Sequence, residues 1–199
     1  MVQFGGMAPE EIEEAKKKIG ELEEEEATPR WETGYRGWKL KFQKGKPRLG
    51  SVAWGAVWEP GEEGEVVSDW KEGEDEPFEK TSKGLYSLRS LQDVKQRYGG
   101  EDIYGAIIPY GKTFFGEMGY RSEKAKVRSL FKGLVSCYIC KKPARYYVHN
   151  DERFPLCESC LKRLEKLIKK KGYSQEEVEE VLHQLAEIYE AEVVDAPED

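Results

Sequence analysis

The sequence predicts an α+β protein: a small β-rich domain, then a four-cysteine metal-binding segment, then a C-terminal αα-hairpin. Three observations predict it. Between residues 31 and 130, apolar and polar residues alternate over short runs broken by glycine and proline. All four cysteines then fall between residues 137 and 160 as two C-x-x-C pairs separated by sixteen residues, a spacing that brings four soft thiolates to one metal ion. From residue 161 onward, apolar residues recur every three or four positions, the period of a helix face.

Residues 1–30 read as an acidic N-terminal helix or linker. Ile12, Ala15, Ile19 and Leu22 form a narrow stripe over 9–26, Gly20 and the Glu23–Glu26 run weaken it, and Thr28-Pro29 ends it. A loosely docked helix fits this pattern; a short coiled-coil contact is the alternative. The β-rich domain is assigned to 31–130. A strand over residues 35–42 puts Trp38, Leu40 and Phe42 on one face and Lys39 and Lys41 on the other. A hairpin turn at Lys44-Gly45-Lys46-Pro47 leads to a second strand over 48–58, with Val52, Trp54, Ala56 and Trp58 together. Residues 59–80 read as a long acidic loop. A short strand follows at Gly84-Leu85-Tyr86. Ser90-Leu91-Gln92-Asp93 resembles a capping box opening a helix with Leu91, Val94 and Tyr98 on one face and Gly99-Gly100 as its stop. Residues 103–109 form an apolar strand, Tyr110-Gly111-Lys112 a turn, and 113–127 one or two further strands. All five tryptophans lie between residues 31 and 70, as core filling or as a ligand-stacking surface.

Residues 131–194 are assigned to the metal-binding segment and the helical hairpin. Pro143-Ala144 follows the first cysteine pair, residues 145–149 alternate as a strand, Asn150-Asp151-Glu152-Arg153 is turn chemistry, and Cys157 and Cys160 open a helix with Leu161, Leu164, Leu167 and Ile168 on one face. Ser174-Gln175-Glu176-Glu177 then reads as the capping box of a last helix whose stripe is Val178, Val181, Leu182, Leu185, Ile188 and Tyr189. Residues 195–199 read as a frayed tail. Disulfides suit an oxidising compartment, and nothing here reads as a secretory signal. A redox C-x-x-C normally stands alone beside a βαβ pattern, and iron–sulfur clusters use other spacings. One structural Zn2+ held by Cys137, Cys140, Cys157 and Cys160 is the expectation.

Two resemblances follow from these residues. Over 135–171 the knuckle, hairpin and ligand-bearing helix resemble a treble-clef zinc finger, which implies a structural zinc but no single function. Gly34-Tyr35-Arg36-Gly37-Trp38, Trp58-Glu59-Pro60-Gly61-Glu62, Gly84-Leu85-Tyr86-Ser87-Leu88 and Gly119-Tyr120-Arg121-Ser122-Glu123 resemble, in this order, the motifs of a widespread uncharacterised family of prokaryotic and phage proteins. That family often carries a cysteine before the Gly-x-Tyr motif; Lys83 stands there in this chain. The resemblance implies a real domain over 34–130 and no activity.

The net charge of −7 is segregated. Residues 121–171 carry fifteen bases and five acids, a net of +10, and residues 172–199 carry ten acids and no Lys or Arg, a net of −10. A basic block of that size attracts polyanions. No run approaches a membrane span, so a cytoplasmic protein without membrane contact is expected. No phosphate-binding loop, zinc-protease motif or nucleophile elbow is present, and no catalytic residue is assigned. The leading expectation is a structural-zinc module associated with nucleic acid. Lys141, Lys142, Arg145, Lys162, Arg163, Lys166, Lys169, Lys170 and Lys171 would contact phosphates, and Tyr146 or Tyr147 would stack on a base. One alternative is a protein–protein adaptor docking through the stripe of residues 178–189. The other is a small-ligand binder or enzyme using Trp38, Tyr86, Tyr120, Arg121 and Glu123.

Overall fold

The computed structural model describes residues 32–52, 56–69, 83–98, 102–149, 153–167 and 174–197. The expected helix over 9–26 lies outside them, as do Lys169, Lys170 and Lys171. Strand β1 (Gly34–Gln43) and strand β2 (Lys46–Gly50) form the expected hairpin. Its two central residues, Lys44 and Gly45, both have positive φ, 51° and 78°. This mirror-image turn matches the right-handed twist of the strands, and glycine accepts it without steric cost. The chain does not then continue as one strand to Trp58. Gly50 bridges Val57, and the Trp58 N–H donates to the Leu49 carbonyl at 2.8 Å. Alternation of apolar residues carries through a reversal as readily as along a strand, so the pattern concealed this turn.

Part of the expected acidic loop is also regular. A single 3-10 turn, Glu62–Gly64, leads into β3 (Glu65–Val67), which pairs with Lys124, Ala125 and Lys126 and buries Val66. Strand β4 (Leu85–Leu88) precedes helix α1 (Leu91–Arg97). Ser90 caps the helix: its Oγ accepts from the Asp93 N–H at 3.1 Å and donates to Asp93 Oδ2 at 2.7 Å. Strands β5 (Ile103–Phe115) and β6 (Gly119–Lys132) form a long hairpin. The turn expected at Tyr110-Gly111-Lys112 is instead an irregularity within β5. Register passes from Tyr110↔Lys124 to Thr113↔Ser122, with Gly111 at φ 70°.

These strands close on themselves. β1 pairs with β5, β5 with β6, β6 with β4, and β4 with β1. The last contact is a single pair, Tyr35↔Leu88, which leaves a seam between β1 and β4. The Arg36 guanidinium donates to the Tyr86 carbonyl. A second sheet, ordered β8-β7-β9, joins β7 (Tyr146–His149), β8 (Arg153–Leu156) and β9 (Ser174–Glu177). Helix α2 (Glu158–Leu167) follows β8, helix α3 (Val178–Tyr189) follows β9, and β10 (Glu192–Asp195) pairs in parallel with β6. Glu32–Asp199 forms one compact unit. Among the described residues no helix is long and apolar enough to cross a membrane.

The C-terminal arrangement corrects the expected αα-hairpin. Ser174–Glu177, read as a capping box, is an edge strand on β7, and the helix starts only at Val178. The α3 stripe then packs on the large sheet: Val181, Leu182, Leu185 and Tyr189 share a core with Trp38, Leu49, Trp58 and Leu130. Trp38 and Trp58 meet edge-on at 5.4 Å and 83°. Gly64 admits the end of α3. Its φ is +68°, and a Cβ there would stand 2.3 Å from the Tyr189 carbonyl oxygen. Residues 192–195, partly assigned to a frayed tail, form a strand.

Tyr189 ties these parts together. Its hydroxyl donates to the Trp58 carbonyl and accepts from the Leu49 N–H at 3.1 Å. Burial pushes the phenol up to about 12. A raised acid of this kind stabilises the fold fully below its unfolded value of about 10 and loses that contribution as pH climbs to its folded value. Tyr189→Phe is expected to destabilise the protein by about 1–3 kcal/mol at pH 8, because two buried backbone groups lose their partner. It should also flatten, without abolishing, the decline in stability above pH 10, since burial raises Tyr110 and Tyr120 as well. Urea melts at pH 8 and pH 11 check both effects; an unchanged alkaline slope would refute the second.

Candidate metal centre

The first cysteine pair sits in a tight knuckle. The Cys137 N–H donates to the Lys142 carbonyl at 2.7 Å, the Lys141 N–H to the Cys137 carbonyl at 3.0 Å, and Lys141 takes a left-handed φ of 61°. The second pair straddles the start of α2. Cys157 precedes the helix and accepts from the Leu161 N–H at 3.0 Å, while Cys160 lies in its first turn. The β7–β8 hairpin brings the pairs together, with the Tyr138 N–H on the Pro155 carbonyl and the Arg145 N–H on the Leu156 carbonyl. The four Sγ atoms lie within 4.8 Å of one another; Cys137, Cys157 and Cys160 are buried and Cys140 is exposed. A tetrahedral ion with bonds of about 2.3 Å requires sulfurs about 3.8 Å apart, and Cys140 and Cys157 stand at 3.5 Å. The donor set and its spacing fit a soft tetrahedral metal.

The electrostatics favour a cation. A hydrogen bond from Ser159, followed by the Cys160 backbone N–H, lowers Cys157 to about 6. At Cys137, burial opposes ionisation, but the backbone N–H groups of Cys140, Cys157 and Ile139 hold the thiol below its usual range. Burial first, and then the neighbouring thiols, push Cys160 up to about 12. Four thiols this close cannot all ionise alone, and a bound dication removes that conflict. The cluster also has a core of its own, in which Val148, Leu156 and Leu161 pack around the buried cysteines.

The basic residues singled out in the sequence are only partly available. Arg145 pairs with Glu158 at 3.6 Å and Glu177 at 3.9 Å, and Lys162 pairs with Glu158 at 2.6 Å. Lys141, Lys142, Arg163 and Lys166 are exposed. Tyr147 is no stacking residue: it is wholly buried in the main core, and its hydroxyl donates to the Asp102 carbonyl at 2.6 Å. Sequence reasoning missed Tyr138 and Ile139, which are 69% and 59% exposed. The signal was their place between the first two cysteines, since a knuckle that turns both sulfurs toward the second pair turns the intervening side chains away from it.

The pocket residues divide. Tyr86, Tyr120 and Arg121 line a groove at the β1–β4 seam. Trp38 does not reach it, being fully buried in the core. Glu123 lies elsewhere, accepting from the Lys112 N–H at 3.2 Å. A scan against family models finds no match, and searches of curated proteins and of solved structures return none. Neither resemblance drawn from the sequence gains support from them.

Proposed function

We propose that the cysteine cluster holds one structural zinc ion in a treble-clef-type finger, and that the finger contacts the phosphates of nucleic acid. The mutual approach of the four sulfurs carries the metal part, supported by a knuckle, a hairpin and a helix supplying the last ligands. Thiolates select soft metals, and a closed four-sulfur set with no open position is structural in kind. The nucleic-acid part rests on the knuckle surface. Tyr138 is exposed, the Lys141 ammonium lies 5.8 Å from its ring centroid, and Lys142 is exposed beside them. Tyr138 thus takes the stacking role first given to Tyr146 or Tyr147. Arg163 and Lys166 on α2 add positive charge.

The test is fluorescence anisotropy with labelled single-stranded RNA and duplex DNA at two salt concentrations. Intact protein should bind with marked salt dependence. The Lys141→Ala/Lys142→Ala pair should lower the salt slope by about 1–2, and Tyr138→Ala should weaken single-strand binding by about 1–3 kcal/mol. An absence of binding by zinc-loaded protein at low salt would retire the reading. The exposed Ile139 then favours a protein partner on the knuckle, because the α3 stripe first considered for such docking is buried.

A further inference from the structure

The β1–β2 hairpin carries charges that neither the core nor the finger uses. Residues 39–48 hold five bases, Lys39, Lys41, Lys44, Lys46 and Arg48, and no acid. β1 pairs with β5 only as far as Trp38↔Ile103, and from Lys39 to Gln43 it pairs with β2 alone. The outer half of the hairpin is therefore a two-stranded ribbon. Asp102 fixes its root: the carboxylate accepts from the Leu40 N–H at 2.9 Å, and the carbonyl accepts from the Tyr147 hydroxyl at 2.6 Å.

Alternation and register sort the charges onto one side. Leu40 and Leu49 are cross-strand partners and lie in the main core with Trp38, and Phe42 packs against it. The opposite face sets Lys41 across from Arg48 and Gln43 across from Lys46, with Lys39 on the same side and Lys44 at the turn. Gly50, across from Lys39, leaves room for the Lys41 stem: a Cβ there would stand 2.6 Å from Lys41 Cγ. Lys39 has a partner, and Arg48 Nε stands 4.0 Å from Glu59. Lys41, Lys44 and Lys46 are exposed, and no acid among the described residues pairs with them. Like charges directly opposite one another destabilise a strand pair. A polyanion laid on this face relieves a repulsion that the fold leaves standing.

The geometry selects among polyanions. The basic face carries no aromatic ring, so the bases of a single strand find nothing to stack on and only phosphate contacts remain. A duplex presents one phosphate per about 1.7 Å of its axis, twice the density of a lone strand. The major groove of B-form DNA admits a two-stranded ribbon, whereas that of A-form RNA is too narrow. We propose that the β1–β2 ribbon binds the phosphates of duplex DNA along the major groove, without reading sequence. This surface is separate from the knuckle, and it stands whether or not the finger binds nucleic acid.

Fluorescence anisotropy of the full chain, purified with zinc, tests the ribbon with a short labelled DNA duplex of mixed sequence at two salt concentrations. Duplex RNA, single-stranded DNA and poly-glutamate serve as comparisons. The DNA duplex should bind at least about tenfold more tightly than any of the three. The triple variant Lys41→Ala/Lys44→Asn/Lys46→Ala should weaken duplex binding at least about tenfold and lower the salt slope by about 2–3. Asparagine accepts the left-handed φ of 51° at residue 44, and the thermal midpoint should not fall. Lys41→Arg/Lys46→Arg keeps the charge and should keep the affinity. The triple variant should cost the same factor in a Lys141→Ala/Lys142→Ala background, which separates the ribbon from the finger. Four results would each overturn the proposal: no duplex binding at low salt, a comparison polyanion bound as tightly, duplex affinity unchanged in the triple variant, or affinity lost in the arginine pair.

Discussion

Cys157→Ser is expected to abolish metal binding and to unfold the segment from residue 136 to residue 167. Serine preserves the size of the side chain but replaces a soft thiolate with a hydroxyl that does not ionise at neutral pH. Tyr147 anchors the segment in the main core and β7 pairs with β9, but the apolar support around the cysteines is small. Apart from the cysteines, its own core contains Val148, Leu156 and Leu161, each contributing about 1.5–3 kcal/mol on burial. A structural zinc contributes about 10–16 kcal/mol, so losing it outweighs those three side chains together. Metal analysis should give about one zinc per chain in the intact protein and none in the variant. Hydrogen exchange should show protection lost over β7, β8 and α2. A variant that keeps its metal, or that loses it with those amides still protected, would refute the zinc reading.

A chain ending at Lys171 is expected to lose the β-rich region along with the tail. Such a truncation removes Val178, Val181, Leu182, Leu185, Ala186 and Tyr189, all buried in α3. The two valines and two leucines alone account for about 6–12 kcal/mol, comparable to the whole stability of an ordinary domain. The graded counterpart is Leu185→Ala. This side chain is 0% exposed, and its loss should destabilise by about 2–5 kcal/mol in a denaturant melt. A soluble truncated protein with native tryptophan fluorescence would show that α3 is dispensable. Deletion is therefore a poor way to ask whether the acidic end competes with the basic finger. Neutralising the exposed Glu179, Glu180 and Glu187 asks the same question with the core intact.

The cysteine cluster was legible because ligand spacing is a local property, and so were β1 and the Ser90 cap, each set by a few adjacent residues. What failed depended on distant partners. The stripe on α3 identified an apolar face, but periodicity does not say what covers it, and the large sheet covers it rather than α2. Tyr146 and Tyr147 are indistinguishable as letters; alternation sends one inward, and only the position of Asp102 decides which. Arg145 reads as a free cation until Glu158 and Glu177 are brought to it from later in the chain. Arg121 and Glu123 do share a strand, yet the irregularity at Gly111 draws Glu123 to the Lys112 backbone and leaves Arg121 among the aromatic rings.

The bond between the Leu49 N–H and Tyr189 spans 140 residues, which gives the molecule an order of assembly. At ribosomal rates of about 5–20 residues per second, Leu49 waits roughly 7–28 s for Tyr189 to be made. During that interval Trp38 and Leu49 lack the helix that covers them, and the nascent chain is open to chaperones and to aggregation. The four cysteines are synthesised within the same interval and before α3, so metal can be captured while the main core is still unsealed. The cysteine segment, once folded, offers the Arg145 carbonyl, which receives the Val178 N–H at 2.9 Å, as the landing point for the helix that completes the protein.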